Sequence, residues 1–226
     1  MELTLTPRLE TVACLVPQGA CLADVGTDHA YLPVRLLLDG RVERAIAADL
    51  REGPLARARE TARRYGVEDQ ISFRLCDGLS AVSREEADTV AIAGMGGETI
   101  AAILSAAPWT REGTKLLLQP MTSFPDLRGW LQQNGYCILR ERIAREGKRL
   151  YTVLETVGGQ MEPLSAGELW AGRQSDDPLR GAYLEMMAGK VSRALKGQCA
   201  SKLRDEGQIA VLSQVLADIE TMRKEL

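Results

Sequence analysis

The sequence is poor in metal-ligating side chains. It has one histidine, His29, and its five cysteines show no Cys-x-x-Cys spacing, so a zinc site of the usual Cys/His kind is hard to assemble. Cys14, Cys21, Cys76, Cys137 and Cys199 read instead as free thiols packed within apolar segments. No apolar run comes near the ~20 residues that span a bilayer. The first eight residues lack a basic stretch followed by an apolar core, which argues against a signal peptide and for a cytoplasmic protein. An excess of positive charge is also missing, the formal net charge being −3, so bulk charge does not advertise a nucleic-acid partner. Only a local patch would matter. Arg140, Arg142, Arg145, Lys148 and Arg149 crowd one short stretch, and 22 of the 28 basic residues are arginine, whose planar fork suits phosphate. A solvated hairpin face is the plainer reading of that cluster. No obligate protein partner is evident.

What is present is a regular alternation. Through residue 157, short apolar runs alternate with helical patterns, the signature of a parallel sheet covered by helices. Strands are expected at 20–25, 44–50, 71–76, 88–93 and 115–119, the last closed by Pro120. Helices are expected at 31–38, at 52–65 up to Gly66, from the Gly94-Met95-Gly96-Gly97 loop through Leu104, and at 123–134 with Ser123 as N-cap. Residues 136–143 and 149–157 then read as two strands of an antiparallel hairpin joined by the five residues 144–148, an addition unusual for a dehydrogenase. Beyond Gly158-Gly159 the composition shifts: 163–178 reads as a linker with at most a short helix, and the remainder is helical. Leu179, Tyr183, Met187 and Val191 stripe one helix, and Ile209, Leu212, Leu216 and Ile219 have the spacing of a coiled-coil seam. The expected organisation is an α/β Rossmann-like domain over 1–160 and a small α-helical coiled-coil domain over 161–226.

The chemistry gathers where the strands end. Ala23-Asp24-Val25-Gly26-Thr27-Asp28-His29-Ala30 passes from the first strand into a helix, leaving free backbone amides at the carboxyl edge of the sheet. Asp28 and Ala30 stand where a dinucleotide fingerprint would carry its second and third glycines, and a carboxylate there would repel pyrophosphate. Asp24 and Asp28 suit a cationic ligand such as S-adenosyl-L-methionine instead. Asp49, 23 residues after Gly26, is placed to accept both hydroxyls of a ribose, although a helix N-cap would explain it too. Asp77, before Gly78, reads as a group reaching an adenine amino group or as a simple turn. The glycines of Gly94-Met95-Gly96-Gly97 allow close backbone approach. The Asn/Asp-Pro-Pro-aromatic sequence that many methyltransferases acting on exocyclic amines carry at this place is absent, which leaves ring-nitrogen chemistry open.

Taken together, Leu9-Glu10-Thr11-Val12-Ala13, the segment from Ala23 through Tyr31-Leu32-Pro33, Asp77-Gly78-Leu79, Ala93-Gly94-Met95-Gly96-Gly97 and Gln119-Pro120-Met121 resemble the bacterial tRNA adenine-22 N1-methyltransferases. The resemblance spans the Rossmann region, its terminal hairpin matches the last two strands of Rossmann-like methyltransferases, and the helical appendage resembles the coiled-coil C-terminal domain of that family. It implies S-adenosyl-L-methionine as methyl donor and N1 of adenine 22 in tRNA as acceptor. The residues expected at the donor are Asp24, Gly26, Thr27, Asp28, Asp49, Leu50, Asp77, Gly78, Leu79, Ala93, Gly94, Met95 and Gly96; those expected to act on the acceptor are Asp28, His29 and Tyr31. A nicotinamide-dependent oxidoreductase and a non-catalytic module that binds the methyl donor and RNA are the alternatives.

Overall fold

The structure is a computed structural model that describes residues 3–201 and 203–226. Helix α1 (Pro7–Leu15) opens with Thr6, whose Oγ1 accepts the Leu9 N–H, and with Pro7 in the first turn. There a missing N–H costs nothing. This helix has no counterpart among the sequence-based expectations. It is followed by β1 (Ala20–Val25), α2 (Tyr31–Leu38), β2 (Val42–Asp49), α3 (Glu52–Arg64), β3 (Ile71–Leu75), β4 (Thr89–Gly96), α4 (Gly97–Ala106), β5 (Lys115–Thr122) and α5 (Phe124–Gln133). The hairpin β6 (Tyr136–Glu146) and β7 (Arg149–Gly158) completes a seven-stranded sheet in the order β3-β2-β1-β4-β5-β7-β6. The strands from β3 to β5 run parallel, and β7 pairs antiparallel with both β5 and β6.

This order sets the position of the site. The chain moves outward from β1 to β3 and then returns to lay β4 against the other side of β1. The connections leaving β1 and β4 therefore diverge, and a crevice opens at their carboxyl ends. Leu116, Leu117, Leu118, Val90, Ala91 and Ile92 are fully buried, as expected of central strands covered on both faces.

Several boundaries differ from the sequence reading. β4 does not stop at Ala93 but runs to Gly96, held by β5 across register shifts on either side of Met95, so most of the glycine run is bulged strand rather than loop. Pro120 does not close β5; it lies in the strand opposite Met95, within that irregular pairing, where a missing donor is tolerated. Ser123 occupies the N-cap position of α5 in a left-handed conformation and makes no side-chain cap bond. The hairpin is joined by Gly147 and Lys148 alone, not by five residues, because pairing continues out to Glu146 and Arg149. The cysteines are free, but none is buried: Cys14 and Cys199 are exposed, and Cys21, Cys76 and Cys137 are partly so.

Three helices follow, α6 (Ala166–Ala171), α7 (Arg180–Ala200) and α8 (Glu206–Lys224). The expected division at residue 160 falls in the coil between β7 and α6. Tyr183, Met187 and Val191 of α7 are buried as the stripe implied, together with Leu184 and Ala188. In α8 the buried row is Leu212, Val215, Ile219 and Met222, displaced from the expected seam. These residues form a third apolar cluster with Ile143 and Leu150 of the hairpin. The helices therefore pack on the far half of β6 and β7.

One buried ion pair joins three of these elements. Arg128 on α5, 1% exposed, donates from Nε and Nη2 to both oxygens of Glu141 on β6 (2.9 and 2.6 Å) and from Nη1 to the Leu169 and Trp170 carbonyls of α6 (2.9 and 3.2 Å). Removing one partner strands the other without water. Arg128→Met is expected to cost about 3–5 kcal/mol in urea unfolding, and Arg128→Met with Glu141→Leu to recover most of it. A single variant as stable as the parent would remove this pair from the set of interactions holding α6 to the sheet.

Candidate active site

The turn after β1 is built by strained backbone and one buried acid. Gly26 has φ +72°, and a Cβ there would lie 2.2 Å from Met95 Cε, so the β1 and β4 turns touch at this point. Asp28 and Ala30 also have positive φ (48° and 55°), a region costly for alanine and more tolerant of aspartate. Gly26 and Thr27 both donate their N–H to the Ala48 carbonyl of β2, which fixes the turn against its neighbour.

Asp24, 6% exposed, accepts the Thr27 hydroxyl at 2.6 Å. Burial pushes its carboxyl up to about 6; the Thr27 hydrogen bond opposes this, and the nearby Asp49 carboxylate adds to it. Asp49, also buried, accepts the Arg51 N–H at 3.0 Å and the Asp28 N–H at a long 3.4 Å. It sits at the end of β2 with part of its accepting capacity unused.

Two cavities meet at this turn. The larger, about 480 Å³, is lined by Val25, Gly26 and Asp28 from the first turn, Asp49, Leu50 and Arg51 from the second, Cys76, Asp77 and Gly78 from the third, and Ala93, Gly94 and Met95 from the fourth. The smaller, about 260 Å³, is bounded by Arg8, Leu9, Asp24, Thr27, His29, Tyr31 and Leu32. Gly26, Asp28, Ala93 and Gly94 border both, so a group held in one faces a group held in the other. The rings of His29 and Tyr31 stack with centroids 5.1 Å apart and planes 7° from parallel, and Tyr31 is 41% exposed. Asp28 is held from outside: Arg57 Nη2 donates to its Oδ1 at 2.8 Å, and His29 Nε2 stands 3.7 Å from its Oδ2.

Of the residues expected at the donor, most border the larger cavity. Asp24 and Thr27 border the smaller one, Leu79 is buried behind the turn it belongs to, and Gly96 borders neither, serving as the N-cap of α4. Asp28, His29 and Tyr31 come together on the smaller cavity.

Sequence reasoning missed Arg8 as part of the smaller cavity's wall and Gln119 as the residue that holds it. Arg8 Nη1 donates to Gln119 Oε1 (2.7 Å), and the same oxygen accepts the Gly94 N–H (3.0 Å), so one buried amide ties α1 to the bulged end of β4. Arg8 Nε is buried without a hydrogen-bond partner. The available signal was their place at the edges of the segments carrying the family resemblance.

Comparison with known proteins agrees with this geometry. Residues 5–154 match the model of a family described as a methyltransferase domain. The chain is 39% identical over 175 residues to the tRNA (adenine(22)-N(1))-methyltransferase of Bacillus subtilis (strain 168), covering 74% of each chain. It superposes on the crystal structure of the B. subtilis m1A22 tRNA methyltransferase TrmK with a TM-score of 0.85 at 30% identity, covering 98% of this chain and 100% of the other. The structure of M. capricolum TrmK in complex with S-adenosyl-homocysteine matches with a TM-score of 0.80 at 26% identity, covering 97% and 99%. The chain belongs to the tRNA (adenine(22)-N(1))-methyltransferase family.

Proposed function

We propose that this protein transfers a methyl group from S-adenosyl-L-methionine to N1 of adenine 22 in tRNA. The observation that carries the reading is the shared wall of the two cavities: an acid-lined one large enough for a nucleoside ligand meets a smaller one bordered by a stacked pair of rings, half-buried His29 and exposed Tyr31. The donor set suits a nucleoside that bears a cation. Asp49 offers a carboxylate to ribose hydroxyls at the end of β2. Asp77 and the Gly94 backbone border the space for an adenine, and exposed Leu50 gives it an apolar cover. Asp24 supplies negative charge at the junction.

When bound, the donor supplies a methyl group on a positively charged sulfur. The chain's task is then positioning and electrostatics. N1 of adenine has an in-plane lone pair, and the product remains a cation, so no proton must leave and no general base is required. N1 lies on the pairing edge, so the base must leave any stack or pair before it enters the smaller cavity. The His29–Tyr31 pair offers a flat face for that base. Asp28 accepts from the adenine amino group and favours positive charge on the ring. Nicotinamide chemistry fits less well, since acids stand where a pyrophosphate would need donors. The helices of 161–226 make a separate unit in this reading, one that flanks the acceptor side.

Methylation of bulk unmodified tRNA followed by nucleoside mass spectrometry tests the reaction, with N1-methyladenosine expected at position 22; a protein that leaves tRNA unmethylated would overturn it. Asp28→Asn keeps a residue that tolerates positive φ and removes the charge. Single-turnover methylation should fall ~10²-fold while calorimetric affinity for S-adenosylhomocysteine stays within about threefold, and equal losses in both would remove the role in the chemical step.

Asp24 generates a second prediction. Its folded carboxyl titrates near 6 against an ordinary value of 3.8, so the stability it contributes is complete below pH 3.8 and is lost as pH rises through about 6. At neutral pH the ligand-free protein therefore carries a penalty of up to roughly 3 kcal/mol. Asp24→Asn, which can still accept from Thr27, should melt several degrees higher at pH 7.5, and that advantage should vanish on titrating toward pH 4. Its affinity for S-adenosyl-L-methionine should be lower, and in the parent protein that affinity should weaken below about pH 6. A variant of unchanged melting temperature and unchanged affinity would sink this account.

A further inference from the structure

The five-cation cluster around the hairpin separates in the folded chain. Arg140 donates to Glu155, which Lys115 also holds at 2.7 Å, and Arg142 stands 3.5 Å from Asp176. Arg145, Lys148 and Arg149 are exposed, and among the described residues their side chains make no hydrogen bond or ion pair. Two cations are internally neutralised, and three are left at the tip.

The sheet register shows where that tip points. β7 is antiparallel to β5 and pairs with it only over Leu116↔Thr156 to Leu118↔Leu154. Residues 149–153 therefore continue past that pairing in the direction in which β5 runs, toward the carboxyl edge where both cavities open. Five strand residues carry the tip ~16 Å beyond Leu154.

The tip is also fastened to the smaller cavity. Glu146, the last residue of β6, accepts the Arg8 backbone N–H at 3.0 Å and stands 3.8 Å from Arg8 Nε. Arg8 lines that cavity, and its guanidinium carbon lies 5.9 Å from the centroid of the Tyr151 ring on β7. Ile143 and Leu150, buried against α7 and α8, hold the other side of the hairpin. The only acid within the tip is thus engaged by Arg8, and three mobile-stemmed cations face solvent beside the place where a base would enter.

We infer that the β6–β7 tip, through Arg145, Lys148 and Arg149, is a docking surface for the sugar–phosphate backbone of the tRNA whose base occupies the smaller cavity. The inference rests on the functional reading above and adds the surface that holds the polymer. Such contacts bring affinity and register and carry no base identity. They give binding a steep salt dependence, since each neutralised phosphate contributes a slope of ~0.7–0.9 to log K against log salt.

The test is Arg145→Gln, Lys148→Gln and Arg149→Gln together in the full chain, compared with Arg44→Gln, Arg63→Gln and Arg64→Gln, which remove the same charge at the opposite edge of the sheet. Binding of unmodified tRNA should weaken ~10–100-fold at about 0.1 M salt in the tip variant, with the salt slope lower by about two to three units. The rate at saturating tRNA, the calorimetric affinity for S-adenosylhomocysteine and the melting temperature should remain those of the parent. The opposite-edge variant should bind tRNA within about threefold of the parent. A tip variant with parental affinity and slope, or an opposite-edge variant that loses as much, overturns the surface while leaving the reaction standing. A parent protein that neither binds nor methylates tRNA overturns both readings, and the methylation assay separates these cases.

Discussion

A carboxylate held out of water at the end of β1 is the constraint around which the site is organised. Asp24 lies at the switch point of the sheet, where β1 is flanked by β2 and β4, and where Asp49 brings a second acid from the neighbouring strand. A lone hydroxyl, that of Thr27, offsets the burial only in part. Two acids concentrated there disfavour the empty protein and favour any ligand that brings positive charge, because a low-dielectric setting strengthens attraction as much as it strengthens repulsion. The local strain has the same location: three positive-φ residues within five positions hold the turn open instead of letting it collapse into the regular start of a helix. Strain of this kind persists only where surrounding structure over-determines it, and the hydrogen bonds from Gly26 and Thr27 to Ala48 do so here.

The second organiser is the terminal hairpin. Beyond its role as the sheet's last two strands, it gives α7 and α8 an apolar seat through Ile143 and Leu150, it accepts α1 through Glu146, and Glu141 anchors α5 and α6 through Arg128. The smaller cavity inherits its wall from this arrangement, because Arg8 reaches it only by virtue of α1 lying against the hairpin. A loss of packing among the C-terminal helices would therefore be felt at the smaller cavity before it reached the larger one, which is bounded by the ends of β1 to β4 and by Thr99 and Ile103 of α4.

Much of this was legible in the residues, for identifiable reasons. β1 and α2 fall where apolar runs and Gly26 put them, and Asp24, Asp28, Asp49, Asp77 and Gly94 all stand on one crevice because strand ends of a parallel sheet share an edge. What was not legible depended on partners distant in the chain. Gly94-Met95-Gly96 reads locally as a loop and becomes strand because β5 supplies the missing hydrogen bonds across two register shifts. Pro120 reads as a stop and is accommodated by the same irregularity. Arg8 carries no local signal: its role follows from Gln119, 111 positions away, which it meets only once α1 is docked. The seam of α8 differs from the expected one because α6 as well as α7 packs against α8, Gly167 of α6 lying against Asp218 and donating its N–H to that carboxylate.

An enzyme that alkylates RNA with a cationic donor faces opposite electrostatic demands: acids for the donor and bases for the polymer. In this chain the two are separated in space. The acids sit in a recess at the ends of β1, β2 and β3, and the unpaired cations stand on a strand pair that projects past the sheet. Between them lies the smaller cavity, where the stacked His29 and Tyr31 rings and the backbone at Ala93 and Gly94 share the wall with Arg8, Asp24 and Asp28. At physiological ionic strength the interaction between charges decays over about 8 Å, so a backbone held at the hairpin tip is screened from the acids at the strand ends, while a single extruded base, itself uncharged, can enter the recess without bringing phosphate toward Asp24. The overall charge of −3 fits this division: a uniformly basic surface would hold tRNA in many registers, whereas a local basic tip on a chain without net positive charge favours the register that places a base at the site.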